Sequence, residues 1–532
     1  MPAPARHRSA GFAAALATLL VLATVLAPVP PSRTGLRGLA AAGSRYDVKV
    51  LRDTWGVPHV FGRTDADTAY GLAWAHAEDD FATIQRQLLG ARGRLASVLG
   101  REAAATDYVV SLLRVREAVE ARYATDLAPE TRAVVEAYAD GINRYAAAHP
   151  KDAWPGLYPV RGEDVVAGFV AGVPLFFDFD KVLRELMGPT RVRPVSRRNG
   201  SAAASGRQQG GPRAEPERGS NAFAVAPRRS ADGFTRLLVN SHQPWEGPLA
   251  WYEAHLHSEE GWDMVGGVFP GAPVVLHGHN RDLGWAFTVN RPDFTDVYVL
   301  EANPRDPGQY RFDGEWRDLE ARAVPIDVKL WGGFHWTFTR EALWSVHGPV
   351  VRRPHGTYAL RYPGMGDVRA VEQWHRMNRA RNLEEWRSAM RLGGIPSFNV
   401  VYADREGHVG YVYNARLPKR AEGYDWAQYL PGDTSDTLWS ESLGFDEMPQ
   451  VFDPPGGFVV SANGTPFRVT ADGGNPDPAR WPSTFGMETH LTNRQLRALE
   501  LVGGDDAITA AELERYKLDT AYSARSAVGL RL

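Results

Sequence analysis

The sequence predicts an α+β protein, in which a mostly helical first part is followed by a large β-rich part. Apolar side chains recur at helical spacing between residues 65 and 99 and between residues 127 and 148. After about residue 220 the apolar runs become short and are separated by Gly and Pro, as in strands joined by turns. Gly and Pro contribute 53 and 37 of the 532 residues, which favours a β-rich chain over a helical bundle.

The predicted elements follow from these patterns in chain order. A short strand pair is expected within residues 46–59, and helices are expected over 65–99, over 127–148 with Pro129 at the start, and over 507–532. The predicted strands of the β-rich part, punctuated by Gly and Pro, are Ala222–Val225, Leu237–Asn240, Trp251–His257, Val274–His277, Trp285–Val289, Val297–Leu300, Val400–Ala403 and Gly410–Tyr413.

Composition excludes several kinds of chemistry. The chain contains no cysteine, which rules out a thiol nucleophile, a disulfide framework, an iron–sulfur cluster and a thiolate zinc site. A formal charge of −3 gives no general attraction to nucleic acid or to anionic membranes. Any covalent catalyst must therefore be Ser, Thr, Lys, Asp, Glu, His or Tyr.

Residues 1–42 have the pattern of an export signal. Arg6 and Arg8 precede an uncharged apolar run from Gly11 to Ala27, and the small residues 40–42 offer a cleavage site. The alternative is a membrane anchor, because the apolar run is at the low edge of the length that spans a bilayer. We expect a cleaved signal and a secreted or periplasmic protein without membrane association after signal removal.

Residues 189–219 interrupt the chain with a segment of low hydrophobicity. Val192 and Val195 are its only sizeable hydrophobic residues, and Gly, Ser, Ala and Arg dominate the rest. Such a segment is expected to be an exposed, mobile linker. The predicted organisation is thus a signal (1–42), a helical segment (43–188), a linker (189–219) and a β-rich segment (220–532).

The junction between the linker and the first predicted strand carries a candidate nucleophile. If the chain is cut between Gly219 and Ser220, Ser220 becomes an N-terminal residue with both a hydroxyl group and a free α-amine. An α-amine has a pKa of about 7.7–8.0, so it can serve as a base near neutral pH. On spacing alone, a serine after a glycine-ended linker is more often simply the start of a strand.

Several sequence blocks resemble the penicillin acylase family of N-terminal nucleophile hydrolases. The blocks, which occur in the family's order from about residue 46 to the C-terminus, are 55–59 (WGVPH), 70–79 (YGLAWAHAED), 219–225 (GSNAFAV), 239–245 (VNSHQPW), 278–289 (GHNRDLGWAFTV) and 397–411 (SFNVVYADREGHVGY). The resemblance implies a four-layer αββα sandwich, cut into a helical α-subunit (43–188) and a β-subunit that begins at residue 220. Members of the family continue well beyond the helix at which this chain ends, so the resemblance also implies that a C-terminal part is missing.

The resemblance implies roles for individual residues. Ser220 would attack an amide carbonyl, the backbone N–H of Val289 and the side-chain amide of Asn399 would stabilise the oxyanion, and Arg420 would support the site near that asparagine. His242 would be residue 23 of the new chain, a position where His is typical of acylases for homoserine lactones and lipopeptides. It would either hold the serine amine through a hydrogen bond or transfer a proton directly.

Metal binding is a further expectation at two places. Asp293 and Asp296 match acidic positions that bind calcium in penicillin acylases, with Glu185 as a third candidate ligand, and an exposed acidic turn is the alternative. No cofactor is expected for the chemistry itself. The pairs His255/His257 and His277/His279 each place two imidazoles on one face of a strand, which could bind a metal or be ordinary strand positions.

The sequence therefore predicts a secreted, self-processing hydrolase of linear amides. Its substrate would be a small N-acyl compound such as an acyl-homoserine lactone, a penicillin or a lipopeptide, consistent with quorum-signal degradation, antibiotic side-chain removal or nutrient scavenging. Its partners would be its own α- and β-subunits. The alternatives are a metal-dependent hydrolase that uses the H-x-H pairs and an inactive, truncated member of the family.

Overall fold

The computed structural model describes residues 45–174, 179–198, 219–526 and 528–530. The predicted export signal and residues 199–218 of the predicted linker lie outside these ranges. None of the helices in the described ranges is both long enough and apolar enough to cross a bilayer.

The helices of the described residues lie mostly before residue 190, as the apolar spacing predicts. They are α1 (Asp65–Ala91), α2 (Ala96–Leu99), α3 (Ala104–Leu112), α4 (Val115–Asp126), α5 (Pro129–Ala148), α6 (Gly162–Gly172), α7 (Phe179–Leu186), α8 (Ala370–Arg379), α9 (Leu383–Met390), α10 (Asn493–Gly503) and α11 (Ala510–Lys517). Helix α1 begins where the Thr64 side chain accepts a hydrogen bond from Asp67 N and the Asp67 carboxylate accepts one from Thr64 N. Helix α5 begins at Pro129, as predicted.

The strands lie mostly after residue 219. They are β1 (Val48–Arg52), β2 (Pro58–Gly62), β3 (Ser220–Val225), β4 (Arg236–Ser241), β5 (Tyr252–Ser258), β6 (Asp263–Val268), β7 (His277–His279), β8 (Leu283–Thr288), β9 (Asp296–Leu300), β10 (Gln309–Phe312), β11 (Glu315–Asp318), β12 (Glu320–Trp331), β13 (Phe334–Ser345), β14 (Gly348–Arg353), β15 (Gly356–Arg361), β16 (Asn399–Asp404), β17 (Val409–Tyr413), β18 (Leu430–Pro431), β19 (Gln450–Phe452) and β20 (Phe458–Ser461).

One large sheet joins the helical and the β-rich parts of the chain. Its order is β1-β2-β5-β6-β7-β8-β16-β17-β19, and β2 pairs with β5 in parallel, with His59 opposite His255. A second sheet has the order β12-β13-β14-β15-β9-β18, and a two-stranded sheet is formed by β10 and β11. Because β1 and β2 come from the first part of the chain, the two parts share backbone hydrogen bonds as well as a core.

A three-stranded sheet with the order β20-β3-β4 carries the candidate nucleophile. Strands β3 and β4 contact β8 of the large sheet, and helix α10 packs against β20. Helix α1 packs against β2 and β5. The fold is thus of the α+β class, and β3 lies at the contact between the two sheets.

Several sequence expectations differ from the structure. Residues 189–198 are not a free linker, because Val195 forms a parallel bridge with Tyr429 and Ser196 N donates to Tyr429 O (2.7 Å). In place of the predicted strand at residues 274–277 the structure has β7, which begins three residues later and ends two residues later. Helices α8 and α9 interrupt the predicted β-rich region, with Trp374 and Trp386 buried on them.

The predicted C-terminal helix is also shorter than residues 507–532. Helix α11 ends at Lys517, and the following chain turns back onto α10. Asp519 pairs there with Arg497 (2.9 and 3.0 Å), and Ser523 N donates to Asn493 Oδ1 (2.9 Å). These tertiary hydrogen bonds replace the helical ones that the amphipathic pattern predicts.

Candidate active site

Ser220 is the first residue of β3 and is buried, with 2% of its surface exposed. Its Oγ donates a hydrogen bond to the carbonyl oxygen of Gly219 (2.7 Å), so the hydroxyl lies beside the peptide bond that self-processing would cut. Its backbone N–H donates to Asn463 Oδ1 (2.7 Å). The hydroxyl group and the backbone nitrogen of Ser220 are therefore both held by hydrogen bonds.

Two residues that the sequence analysis did not identify complete this arrangement. Asn463 follows β20 with φ of 61°, and its Nδ2 donates to Val289 O (2.7 Å). Arg494, on α10, donates to Asn463 Oδ1 (2.8 Å), to Ser220 O (2.8 Å) and to Asn221 Oδ1 (2.6 Å). Asn463 thus links Ser220 to Val289, and Arg494 fixes the backbone of Ser220.

Local sequence patterns do not identify Asn463 and Arg494 as site residues. Asn463 is followed by Gly464, and an Asn-Gly pair after a strand is typical of a turn. Arg494 is one of many arginines, in the first turn of a surface helix. Both lie more than 240 positions from Ser220 and reach it because β20 pairs with β3 and α10 packs against β20.

His242 lies beside the Gly219–Ser220 peptide. Its backbone N–H donates to Gly219 O (2.9 Å), and a Cβ atom added to Gly219 would lie 3.2 Å from His242 Nδ1. Burial, and to a lesser extent the charge of Arg494, lower the pKa of the His242 imidazole. This shift favours the neutral form of the imidazole.

Val289 and Asn399 lie on the large sheet near the end of β8. Val289 follows β8 directly, and its carbonyl oxygen accepts the hydrogen bond from Asn463. Asn399 is fully buried, its Nδ2 donates to Thr288 Oγ1 (3.1 Å), and its Oδ1 accepts from Tyr411 OH (2.7 Å). Of the two asparagines, it is Asn463 whose carboxamide hydrogen-bonds Ser220.

Arg420 forms a buried ion pair with Asp296, away from the hydrogen bonds of Ser220. Both side chains are fully buried, and the guanidinium reaches both carboxylate oxygens (3.1 and 2.9 Å). It also donates to the backbone carbonyls of Asp293 (2.5 Å) and Thr484 (2.9 Å), while Trp439 Nε1 donates to Asp296 Oδ2 (2.6 Å). Burial raises the pKa of Asp296 to about 6, and the guanidinium opposes that shift.

Arginines, rather than an open metal site, face the carboxylates of Asp296 and Glu185. Arginine occupies both oxygens of Asp296, and a second arginine, Arg193, binds both oxygens of Glu185 (2.7 and 2.9 Å). A divalent cation between these groups would meet two guanidinium charges. Calcium at Asp293 and Asp296 therefore stays a prediction of the resemblance, and the contacts favour Arg420 as the cation of this site.

We expect Arg420→Met to destabilise the fold by about 3–5 kcal/mol, because it leaves the Asp296 carboxylate buried without a counter-charge. A second change, Asp296→Asn, should restore most of that loss. EDTA should leave the unfolding midpoint of the unmodified protein unchanged. The control Arg405→Met removes a largely exposed partner of Asp282 and should cost about 1 kcal/mol or less. A chelator-dependent midpoint would contradict this assignment.

The H-x-H pairs are engaged in other contacts. Asp263 Oδ1 lies 3.0 Å from His255 Nε2 and 3.4 Å from His257 Nδ1, and its Oδ2 pairs with Arg281 (2.7 Å). His277 is buried and stacks on Trp251 at 4.1 Å. Within the ranges that the structure describes, no group of three or more His, Asp or Glu residues is arranged to hold a metal ion.

Buried His277 predicts a loss of stability in mild acid. Burial lowers its pKa to about 4, whereas an unfolded histidine has a pKa of about 6.5. Between pH 4 and pH 6.5, unfolding is therefore accompanied by uptake of a proton at His277. The contribution of neutral His277 to the free energy of unfolding is full above pH 6.5 and is lost as the pH falls towards 4. We expect this group alone to remove about 2 kcal/mol between pH 7 and pH 5. Unfolding midpoints over that range should fall less steeply in His277→Gln, and an unchanged slope would contradict the prediction.

Comparisons with known proteins place these observations in a family. A sequence model described as penicillin amidase matches residues 47–530. The acyl-homoserine lactone acylase PvdQ of Pseudomonas putida is 29% identical over 407 residues, covering 71% of this chain and 51% of the relative. The penicillin acylase 2 proenzyme of Pseudomonas sp. strain SE83 is 28% identical over 524 residues, covering 91% of this chain and 65% of the relative.

A solved structure is also similar to part of the chain. The thermostable penicillin G acylase of Alcaligenes faecalis is 27% identical with a TM-score of 0.48, covering 56% of this chain and 51% of that one. The chain spans between about half and two thirds of the length of these relatives. Because the family model matches nearly all of the described residues, the chain belongs to the penicillin amidase family.

Proposed function

We propose that this protein is a self-processing amidohydrolase with Ser220 as its nucleophile. The observation that carries the proposal is the position of Ser220: its Oγ lies 2.7 Å from Gly219 O, and its nitrogen is held by Asn463. Membership of a family that includes a proenzyme and acylases supports it. The chain lacks cysteine, so a serine with its own amine as base suits its composition.

Self-cleavage would use the hydroxyl that faces the Gly219 carbonyl. Oγ attacks the carbonyl carbon, the Gly219–Ser220 C–N bond breaks, and the hydroxyl proton passes to the nitrogen. Water then hydrolyses the resulting ester, which leaves a carboxylate on Gly219 and a free α-amine on Ser220. Arg494 and Asn463 already hold the Ser220 backbone, so the new amine would remain in place.

The mature site would hydrolyse an amide by the same chemistry. The Ser220 hydroxyl attacks the substrate carbonyl while the α-amine takes its proton, the leaving amine departs, and water releases the carboxylic acid. In this proposal the side-chain amide of Asn463 and the backbone N–H of Val289 would stabilise the oxyanion. The hydrogen bonds of Asn463 to Ser220 N and to Val289 O support this assignment. In this proposal Asn399 supports the site through Thr288, whose hydroxyl lies 2.7 Å from Ser461 Oγ, two positions before Asn463.

His242 has two roles open to it in this proposal. A neutral imidazole beside Gly219 can hydrogen-bond the α-amine, or it can accept a proton itself. Its presence at position 23 of the cleaved chain, together with the similarity to acyl-homoserine lactone acylases, favours a fatty-acyl amide as substrate. Penicillins and lipopeptides are the other candidates of the same class.

A panel of N-acyl compounds tests the substrate. Purified protein is incubated with acyl-homoserine lactones of several chain lengths, a penicillin and a lipopeptide, and acid release is followed by mass spectrometry. We expect release of a fatty acid that the Ser220→Ala protein does not produce. Equal release by both proteins would contradict the role of Ser220.

The organisation of the mature protein is part of the same proposal. We infer export by residues 1–42 to a secreted or periplasmic location, and removal of a spacer within 189–219. The α- and β-subunits would remain together, since β2 pairs with β5 and α7 contacts the β-rich part through Glu185 and Tyr429 (2.8 Å). The contacts of α1, the large sheet, the β20-β3-β4 sheet and α10 would form the core of a four-layer αββα sandwich.

A further inference from the structure

A cavity of about 600 Å³ lies between helix α4, the loop before α8 and two segments of the β-rich part. It is distinct from the Ser220 site, since none of Ser220, His242, Asn463 or Arg494 lines it. The side chains and backbone around it are strongly polar, and they belong to Arg122, Asp126, Arg361, Tyr362, Gly364, Met365, Asp367, Arg369, Arg416, Trp439, Ser440 and Ser442.

One of the two aspartates that line this cavity, Asp367, already pairs with arginines. Asp367 is buried and accepts hydrogen bonds from Arg369 Nε (3.0 Å) and Nη2 (2.6 Å) and from Arg416 Nη1 (2.6 Å). Its loop is tightly turned, because Gly364 and Gly366 have φ of 76° and 71°, a region that favours glycine. Two guanidinium groups are thus fixed at the cavity wall by one carboxylate.

Two further guanidinium groups, those of Arg122 and Arg361, form hydrogen bonds to backbone carbonyl groups. Arg122 Nη1 donates to Gly366 O (2.9 Å), and Arg361 Nη1 donates to His347 O (3.2 Å) while its guanidinium stacks on Trp439 at 4.6 Å. Within the described ranges neither forms an ion pair. Burial lowers the pKa of Arg361, and Tyr298 and the Asp296 carboxylate, which pairs with Arg420, oppose that shift only in part, so a further negative charge would relieve the remaining electrostatic cost.

The charges around the cavity therefore do not balance. Four arginines face two aspartates, Asp126 and Asp367, which leaves a net charge of +2 on the wall. Arginine presents N–H donors in a fixed fork that matches carboxylate and phosphate oxygens, and the hydroxyl groups of Ser440 and Ser442 add neutral donors. The groups come from α4 and from three later segments, so a bound ligand would bridge the two predicted subunits.

We propose that this cavity binds a small dianion with carboxylate or phosphate oxygens, through Arg122 and Arg361. The ligand would join α4 to the β-rich part and stabilise their contact. This inference does not depend on Ser220 or on the proposed amide hydrolysis.

Binding of inorganic phosphate and of succinate to the full chain tests this proposal. Unfolding midpoints and titration calorimetry are measured against chloride at matched ionic strength. We expect a saturable rise of the midpoint and a dissociation constant of about 1 mM or tighter for at least one of the two dianions, which two charge-assisted contacts can supply. Saturation by phosphate identifies a tetrahedral oxyanion as the ligand, and saturation by succinate identifies a dicarboxylate.

Substitutions locate the binding. Arg361→Gln should weaken binding at least tenfold. Arg122→Gln, at an exposed position of α4, should do the same, and the unfolding midpoint without ligand shows whether each variant is folded. Arg515→Gln, on the surface of α11, serves as the control and should bind like the unmodified protein. Absence of saturable binding, or equal binding by all these proteins, would overturn the proposal.

Discussion

Ser220→Ala should leave the polypeptide uncut between residues 219 and 220 and reduce amide hydrolysis by about 10⁶-fold, or to background. The change removes one oxygen atom, which donates to Gly219 O and otherwise makes no side-chain hydrogen bond in the described structure. The chain contains no cysteine that could replace it. Intact-mass analysis should show two chains for the unmodified protein and one for the variant.

The control for this experiment lies in the same hairpin. Ser230 lies in the turn between β3 and β4, at the other end of the hairpin from Ser220. Its hydroxyl contacts Asp232 (2.8 Å) and Arg236 (3.0 Å) there. Ser230→Ala should be cut and active like the unmodified protein. An unmodified protein that remains a single chain, or a Ser220→Ala chain that is cut at the same bond, would refute the proposed mechanism.

Asn463→Ala should slow both self-cleavage and amide hydrolysis by about 10²–10³-fold, the usual cost of one oxyanion donor. The variant loses the acceptor for the Ser220 N–H, a partner of Arg494 and the link to Val289 in a single step. The rate at which the two chains appear measures the first reaction. Turnover of an acyl-amide substrate, corrected for the fraction cut, measures the second.

Asn399→Ala distinguishes the role of Asn399 from that of Asn463. Asn399 bridges Tyr411 and Thr288 in the buried sheet, so we expect its loss to lower the unfolding midpoint and to reduce the rate less than Asn463→Ala does. Asn303→Ala, in the loop between β9 and β10, is the surface control for an asparagine-to-alanine change. A larger rate loss in Asn399→Ala, with an unchanged unfolding midpoint, would show that Asn399 is the oxyanion donor instead.

The order of elements could be predicted because it depends on local patterns. The apolar stripe of residues 134–145 and the proline at 129 specify α5, and the alternation around the turn at 230–233 specifies the β3–β4 hairpin. The elements that local patterns predicted wrongly are those whose conformation depends on tertiary contacts. Val195 and Ser196 belong to a polar segment, yet they pair with Tyr429, and the chain after Lys517 is held to α10 by an ion pair.

By itself, the sequence determined that a thiol cannot be the nucleophile and that Ser220 stands where a polar segment meets a strand. It also determined the family, because the matching blocks occur in order along the chain. Only the tertiary structure decided which distant groups surround that serine. Asn463 and Arg494 reach it through the pairing of β20 with β3 and the packing of α10, and Arg420 faces Asp296 from 124 positions away. Such positions follow from strand order and helix packing, which bring together side chains that no local spacing connects.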